Sequence, residues 1–471
     1  MRAYFLNPPA AHGVKQVREG RCMQRAGAWT TVWTPISLAT CAAVVRNEGF
    51  DVKLSDCVVE DIDFERVERI VAAYRPDLVV MNVVTPAIES DLSTVRLIKR
   101  IHPAAQVAVI GIHPTALPDH CFKICPDLDF AVRGEPEYTV RDIARALKSG
   151  GDRQRIIGAS CRGNGSLIHN PPRPAIADLD ELPFPAWDLI DRPRYVMPFS
   201  HNSFLLVGTG RGCPFPCTFC ADKTYYGTRL RLRSPQSVAD ELERNMREFG
   251  TEDFLFWSES FTMNRKFALE VCKEILGRGV RCRWVCNSRV DHVNAEMLRL
   301  FKKAGCTMIG YGVESGVQSV LDSIKKGVTL DQTREAVRLT RQAGIGVVAH
   351  CVLGFPGETV ETITQTIEFL KKLDVDFAQF YCAVPFPGSD LYEHAQREGW
   401  INTQDWTMFE QNFSVLDTPT LKAADVMRLR GLAYRRFYIR PRMVWRTMKR
   451  LRTVAEFRNF ARMVRDFLTW V

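Results

Sequence analysis

No stretch of this sequence stays apolar for the ~18 residues that a membrane-spanning helix requires. The richest run, Leu78–Ile88, is interrupted by Asn82, Thr85 and Pro86, which excludes a spanning helix there. The start, MRAYFLNPPA, lacks the apolar core of a secretory signal and reads as a strand followed by a loop, so a cytoplasmic location is expected. Low-complexity tracts and short repeats are missing too, and the composition carries no signature of disorder. No Gly-x-Gly-x-x-Gly follows the first strand, which argues against a dinucleotide site. Even the net charge of +9 is absent from most of the chain. Thirteen Lys and Arg fall between Arg428 and Val471 against only Glu456 and Asp466, so basicity belongs to the C-terminal segment.

What remains is a mixed composition, 46% apolar and 25% charged, over 471 residues, too long for one ordinary core. Residues 1–145 alternate apolar runs (Arg2–Leu6, Asp51–Ser55, Asp77–Val84, Gln106–Gly111, Leu128–Val132) with helical spacing at Phe64–Tyr74 and Asp91–Ile101. Buried strands alternating with helices predict a doubly wound parallel sheet, whose ligand loops follow the carboxyl ends of the strands. Residues 146–200, rich in Pro, Gly, Asn and Asp from 162 onward, read as a linker. Over 201–395 six strand–helix units follow, with strands near Phe204–Gly208, Asp253–Trp257, Arg283–Asn287, Thr307–Tyr311, Gly346–Leu353 and Phe377–Val384, which fits a partial (β/α)6 barrel of the TIM type. Residues 396–471 read as a basic helical region.

Fifteen cysteines in a cytosolic chain do not make a disulfide frame. Most, including Cys22, Cys41, Cys57, Cys161, Cys272 and Cys351, stand alone and read as small buried apolar residues. Three do not. Gly210-Arg-Gly-Cys213-Pro-Phe-Pro-Cys217-Thr-Phe-Cys220 follows the first barrel strand, and three thiolates so close together suit three irons of a [4Fe–4S] cluster, with the fourth iron left open. A structural zinc site would want four closed ligands and a ferredoxin a fourth cysteine, and neither is near.

This loop resembles the three-cysteine motif of the radical S-adenosylmethionine (SAM) superfamily, with Phe219 at the aromatic position before the last cysteine. The likeness continues through Arg233-Ser-Pro, Phe256-Trp-Ser-Glu-Ser-Phe-Thr262, Asn287-Ser-Arg-Val-Asp291, Ala304-Gly-Cys, Tyr311-Gly-Val-Glu-Ser-Gly316, Lys326-Gly, Gly354-Phe-Pro-Gly-Glu358 and Pro385-Phe-Pro-Gly388. Order and spacing are similar to the cobalamin-binding branch, which holds the anaerobic magnesium-protoporphyrin ester cyclase and many methyltransferases. The resemblance implies that Cys213, Cys217 and Cys220 hold the cluster, that Phe219 lies against adenine, and that Glu259, Arg289 and Glu314 bind the methionine and ribose parts of SAM. It implies that Gly354 and Gly357 let backbone approach the adenine. Relatives often carry two acidic residues where this chain has Ser258-Glu259, which lowers the pocket's charge by one. A barrel-mouth salt bridge is the alternative role for Glu259 or Arg289.

The same resemblance makes the first domain a Rossmann-like cobalamin-binding domain. Its loops are Asn7-Pro-Pro9, Val84-Thr85-Pro86, Gly111-Ile-His-Pro-Thr115 and Arg133-Gly-Glu-Pro-Glu137, so Asn7, Thr85, Gly111, His113 and Gly134 are the expected corrin contacts. The Asp-x-His-x-x-Gly motif that gives cobalt a histidine in other cobalamin enzymes is missing, and Asp56 is followed by Cys-Val-Val. His113 is therefore expected to hydrogen-bond the corrin rim or backbone and not to ligate cobalt.

The implied activity is methylation of an unactivated carbon or phosphorus centre of a small molecule or lipid, through a 5′-deoxyadenosyl radical and methylcobalamin, with flavodoxin or ferredoxin as electron donor. An oxidative cyclase with the same cofactors is the alternative, and a cobalamin sensor or carrier with a degenerate barrel is a rival of another class. Tyr311, His350 and Tyr381 lie near strand ends, as substrate contacts or as core. Tyr434–Arg440 and Met443–Val471 interleave arginine with Trp445, Phe457, Phe460, Phe467 and Trp470. That pattern suits a helix packed on the barrel, or peripheral contact with the inner membrane, and carries no nucleic-acid motif.

Overall fold

The computed structural model describes residues 1–441 and 443, except 11–12, 21–22, 27–30, 164 and 199. The first sheet is built from β1 (Arg2–Asn7), β2 (Asp51–Asp56), β3 (Leu78–Asn82), β4 (Gln106–Ile110) and β5 (Phe130–Val132). They run parallel in the order β2-β1-β3-β4-β5. The winding reverses between β1 and β3, so a crevice opens beyond Asn7 and Asn82, the position where open α/β sheets take ligands. Two short antiparallel strands, β6 (Ala159–Gly163) and β7 (Ser166–His169), extend the edge beyond β5. They lie in the stretch read from sequence as linker, where Gly and Pro hide runs this short.

Both faces of this sheet are covered. Tyr4, Leu6, Val79, Met81, Val107 and Val109 pack with residues of helices Phe64–Tyr74, Ile88–Ile101 and Pro118–Ile124 in one apolar cluster. Their alternate neighbours Ala3, Phe5, Val80, Ala108 and Ile110 belong to another, which takes in helices Ile36–Asn47 and Glu137–Ser149 and runs without a break into the second sheet. Period-2 alternation thus sends one face to a private core and the other to a shared one.

The second sheet begins with β8 (Phe204–Gly208), followed by the hairpin β9 (Gly210–Arg211) and β10 (Arg231–Leu232). It continues with β11 (Asp253–Trp257), β12 (Arg283–Ser288), β13 (Cys306–Glu314), β14 (Gly346–Leu353) and β15 (Phe377–Cys382). β8 and β11–β15 are parallel and adjacent in sequence order, a partial barrel with β8 and β15 as its edges. Helix Asp390–Arg397 leads to an irregular strap containing one short turn, Trp406–Met408, and then to helix Ala423–Tyr438.

That last helix closes the β15 edge. Phe380 N donates to Tyr434 Oη (3.2 Å), Ala378 N to Tyr438 Oη (3.0 Å), and Arg430 Nε to Phe380 O (2.7 Å). An edge strand left bare would template aggregation, and here its polar groups are taken. The described part of the basic region thus packs on the barrel, whereas Trp445, Phe457, Phe460, Phe467 and Trp470 lie outside the described residues. No helix among the described residues is long and apolar enough to cross a membrane.

Candidate active site

The cysteine loop starts from a forced turn. Gly212 has φ +88°, and a Cβ there would fall 2.3 Å from Arg229 O, so only glycine turns the chain out of β9. Cys213 N then donates to Gly227 O (3.2 Å), Thr218 N to Ile324 O (3.1 Å) and Cys220 N to Cys217 O (3.2 Å), which pins the loop at three points. Cys213, Cys217 and Cys220 are part-exposed, whereas the other eleven described cysteines are buried. Burial raises the thiol pKa of several of these, Cys121, Cys282 and Cys382 to about 12. The three open thiols line one cavity of about 560 Å³. Among the described residues no three His, Cys, Asp or Glu side chains are arranged to hold a single metal ion. Separated thiols around a shared space suit a multi-iron cluster better than a lone zinc ion.

Other predicted residues border the same space. Phe219, Glu259, Arg289 and Glu314 all line it. Glu314 ends β13 in a left-handed conformation (φ +59°), and its Oε1 receives Lys326 Nζ at 2.5 Å. Arg289 forks onto Asp291 at 3.0 and 2.9 Å and donates to Lys326 O at 3.0 Å. Its guanidinium also lies 3.6 Å from the ring centre of Phe215, inside the cysteine loop. Arg289 is thus a strut between the cysteine loop and the loop after β13, the salt-bridge role foreseen as its alternative, while it still faces the cavity.

Gly354 and Gly357 are not on the cavity wall. They bracket the turn after β14, whose Phe355 ring packs on Phe219 at 5.3 Å. Glu358 Oε2 holds the turn by accepting from Gly354 N (2.8 Å) and Phe355 N (2.9 Å), and burial pushes this carboxyl up to about 7.

On the first sheet the predicted residues gather at the strand ends. Asn7 Oδ1 is buried at the end of β1 with no hydrogen-bond partner among the described residues, an acceptor in need of a donor. Gly111 has φ +125°, and a Cβ would stand 2.5 Å from Val83 O, so the chain passes over the end of β3 at backbone contact. Gly134 N donates to Thr115 Oγ1 (3.0 Å), tying the loops after β4 and β5. A flat ligand with amide donors fits such a ridge of close backbone and an orphaned carbonyl. His113 is fully buried, Nδ1 3.2 Å from Thr85 Oγ1 and Nε2 3.0 Å from His120 Nδ1. Burial and the neighbouring His120 push its pKa down to about 3. Both ring nitrogens are spent on side chains, where the sequence reading expected the corrin rim or backbone.

The two sets of loops meet. Helix Ile112–Ala116 packs on helix Asp222–Tyr225, which directly follows Cys220. Arg211, two residues before Cys213, forks onto Glu137 at 2.6 and 3.1 Å, and Arg231 on the paired strand meets Glu135. All four side chains are buried or nearly so. The strap crosses above. Gln411 N donates to Met23 O (3.0 Å), Glu410 accepts from Arg25 N (2.9 Å) and pairs with its guanidinium (2.7 Å), and Trp406 stands edge-on to His113 at 5.2 Å. Gln24, Thr31, Trp33 and Gln411 complete the cavity rim.

Sequence reasoning missed these rim residues, because nothing local marks them. Lys326 and Asp291 were within recognised motifs and could have been named. Tyr311 is core: its hydroxyl bonds Thr340 Oγ1 (2.8 Å) on the outer side, whereas His350 and Tyr381 face the cavity.

Comparison with known proteins finds two families along the chain. The B12 binding domain profile matches residues 26–144 and the radical SAM superfamily profile residues 207–370. An uncharacterized methyltransferase of Pyrococcus horikoshii is 33% identical over 447 residues, 94% of either chain. The anaerobic magnesium-protoporphyrin IX monomethyl ester cyclase of Rubrivivax gelatinosus is 27% identical over 93% of this chain and 78% of its own. Among solved structures, the cobalamin-dependent SAM radical enzyme OxsB, with aqua-cobalamin and SAM bound, superposes with a TM-score of 0.74 at 17% identity, over 100% of this chain and 71% of that one. At that identity the likeness speaks for the fold.

Proposed function

The chain belongs to the cobalamin-binding branch of the radical SAM superfamily, and from that premise we propose that it methylates an unactivated carbon or phosphorus centre of a small molecule or lipid. It is a radical SAM enzyme of the methyltransferase kind, with a [4Fe–4S] cluster, SAM and cobalamin as cofactors. When bound, the cluster and SAM supply a 5′-deoxyadenosyl radical and the corrin supplies a methyl group.

In this reading Cys213, Cys217 and Cys220 hold the cluster from a loop whose shape Gly212 dictates. Phe219, kept in place by Phe355, offers an apolar face to adenine. Glu259 and the Glu314–Lys326 pair present polar groups to the amino acid and ribose ends of SAM, and Arg289 stiffens the mouth between them. Asn7, Thr85, Gly111 and Gly134 receive the corrin, with His113 holding Thr85 from behind. The strap, with Gln24, Thr31 and Trp33, covers the mouth, keeping water from a radical. A flavodoxin or ferredoxin delivers the electron.

The observation that carries this reading is the meeting of open thiols and strand-end loops: helix Ile112–Ala116 lies against the segment that follows Cys220. Anaerobically reconstituted protein should hold about four irons and one cobalamin per chain. Supplied with its substrate, it should form S-adenosylhomocysteine alongside 5′-deoxyadenosine. Stoichiometric zinc without iron would end the proposal. Deoxyadenosine without S-adenosylhomocysteine would favour a cyclase-type oxidation instead, the reading supported by the 27% identity with the ester cyclase.

A further inference from the structure

The interior of the barrel is a compartment of its own. Val285 and Asn287 on β12, Met308 on β13, Val348 and His350 on β14 and Gln379 on β15 face inward and keep accessible surface. Their outward neighbours Ile309, Val347, Ala349 and Phe380 keep none. A closed eight-stranded barrel fills its centre with side chains. This open six-stranded one is hollow down to its base.

Charge is confined to the two ends of the hollow. At the mouth stand Asp222, Glu259, Arg289, Glu314 and Lys326, beside the cysteines. At the base, Arg283 forks onto Asp253 at 3.0 and 2.6 Å, with Asn202 Nδ2 on the same carboxylate at 3.1 Å, and it also meets Glu252 at 3.2 Å, so each charge there already has a partner. Between them no described Asp, Glu, Lys or Arg reaches the wall. An ion entering that tier would lose water and find no counter-charge, a cost that selects against ionised groups. Two polar points break the apolar wall: Gln379, whose carbonyl accepts Tyr381 Oη, and the pair Asn287 and His350. A Cβ on Gly310 would lie 2.5 Å from Asn287 Oδ1 and 2.7 Å from His350 Nε2, so the two side chains lean together over bare backbone. A ligand hydroxyl or carbonyl reaching that point would meet both.

We propose that this middle tier binds a neutral, largely apolar part of the substrate, a ring system or branched hydrocarbon carrying one hydroxyl or carbonyl group, with Asn287 and His350 as the specificity-determining pair. The proposal rests on the reaction given above, which makes the mouth the reactive end of the hollow.

Calorimetry on the reconstituted holoenzyme with SAM present tests it with three probes that share one rigid cage: 1-adamantanol, 1-adamantanecarboxylate and 1-adamantylammonium. The alcohol should bind once per chain, at least about tenfold tighter than either ion. Val348→Trp, which fills the tier, should abolish that binding while the protein keeps its iron and its circular dichroism. Should that variant fail to fold, Gly310→Ala, one methyl group between Asn287 and His350, should weaken the alcohol about fivefold or more. Equal binding of an ion, no binding of any probe, or alcohol binding indifferent to the variants that fold would overturn the proposal. None of these readouts depends on turnover. Reconstituted protein that fails to make deoxyadenosine would sink the reaction and leave the probe results standing, and the converse holds as well.

Discussion

The barrel and the first sheet hold their candidate ligands in opposite ways. The barrel collects three ligands from one loop, Cys213 to Cys220, and surrounds them with a hollow inner face. The first sheet packs both faces solid and draws single residues from separate strand ends, Asn7, Thr85, Gly111 and Gly134. A metal cluster needs few donors of one kind close together, so its site condenses into a motif. A large flat cofactor needs many weak contacts over a wide area, so its site is spread across loops that only the fold assembles. The first kind tolerates almost no substitution and the second should degrade by degrees.

The sharpest break should come at the cysteines. Replacing Cys213, Cys217 and Cys220 by Ala is expected to remove the iron and bring deoxyadenosine formation below detection, while cobalamin stays bound. Iron analysis and absorbance of the bound corrin read both sides at once. Retained deoxyadenosine in a folded triple variant would mean that other groups hold the cluster.

Next in size is the joint between the regions. Glu137→Arg or Arg211→Glu alone leaves a buried charge facing its like, at a cost of about 3–5 kcal/mol, seen as a drop in melting temperature. The double exchange should recover part of that loss. Equal losses in all three variants would show that packing, and not the charge pair, joins the halves.

Gly111→Val should do less. It sets a branched side chain at φ +125° against Val83 O, a strain of roughly 1–3 kcal/mol localised at the ridge. Cobalamin occupancy should fall, with iron content unchanged. Parallel loss of iron would blur the distinction between the two sites.

The finest contrast is in pH. His113 is buried neutral, with a pKa lowered to about 3 from an ordinary 6.5, so unfolding takes up a proton between those values and stability falls as pH drops below 6.5. Glu358 is raised from 4.5 to about 7, so the folded state holds the extra proton and its contribution, full below 4.5, is lost as pH rises through 7. Each slope is at most about 1.4 kcal/mol per pH unit. Denaturant titrations should show His113→Asn removing the rise in stability between about pH 3 and 6.5, and Glu358→Gln the fall between 4.5 and about 7. Either variant changing the slope with the wrong sign would contradict its assigned environment.

Much of this was legible beforehand. Apolar runs with period-3.6 segments between them mark the parallel strands of both sheets, because a buried parallel strand has to be apolar throughout. β6 and β7 escaped, being short and pinned by pairing with a distant edge. The cysteine loop was legible because its chemistry is local. The hollow was not, since Val285, Met308 and Val348 have the same composition whether they fill a centre or line one. Nor was the joint: Glu137 and Arg211 are far apart in the chain, and only the packed fold sets them 2.6 Å apart.

That joint bears on how such a protein is assembled from parts. A barrel without Arg211 and Arg231 would leave Glu135 and Glu137 facing a dry surface with nothing to answer them. The first 145 residues made alone would likewise expose those carboxylates with no arginine to answer them. The two halves are modules to the eye but not to exchange. A successful swap has to carry at least the arginines with it, so recombination within the family should be found to respect this seam of four residues before it respects the boundary between the folds.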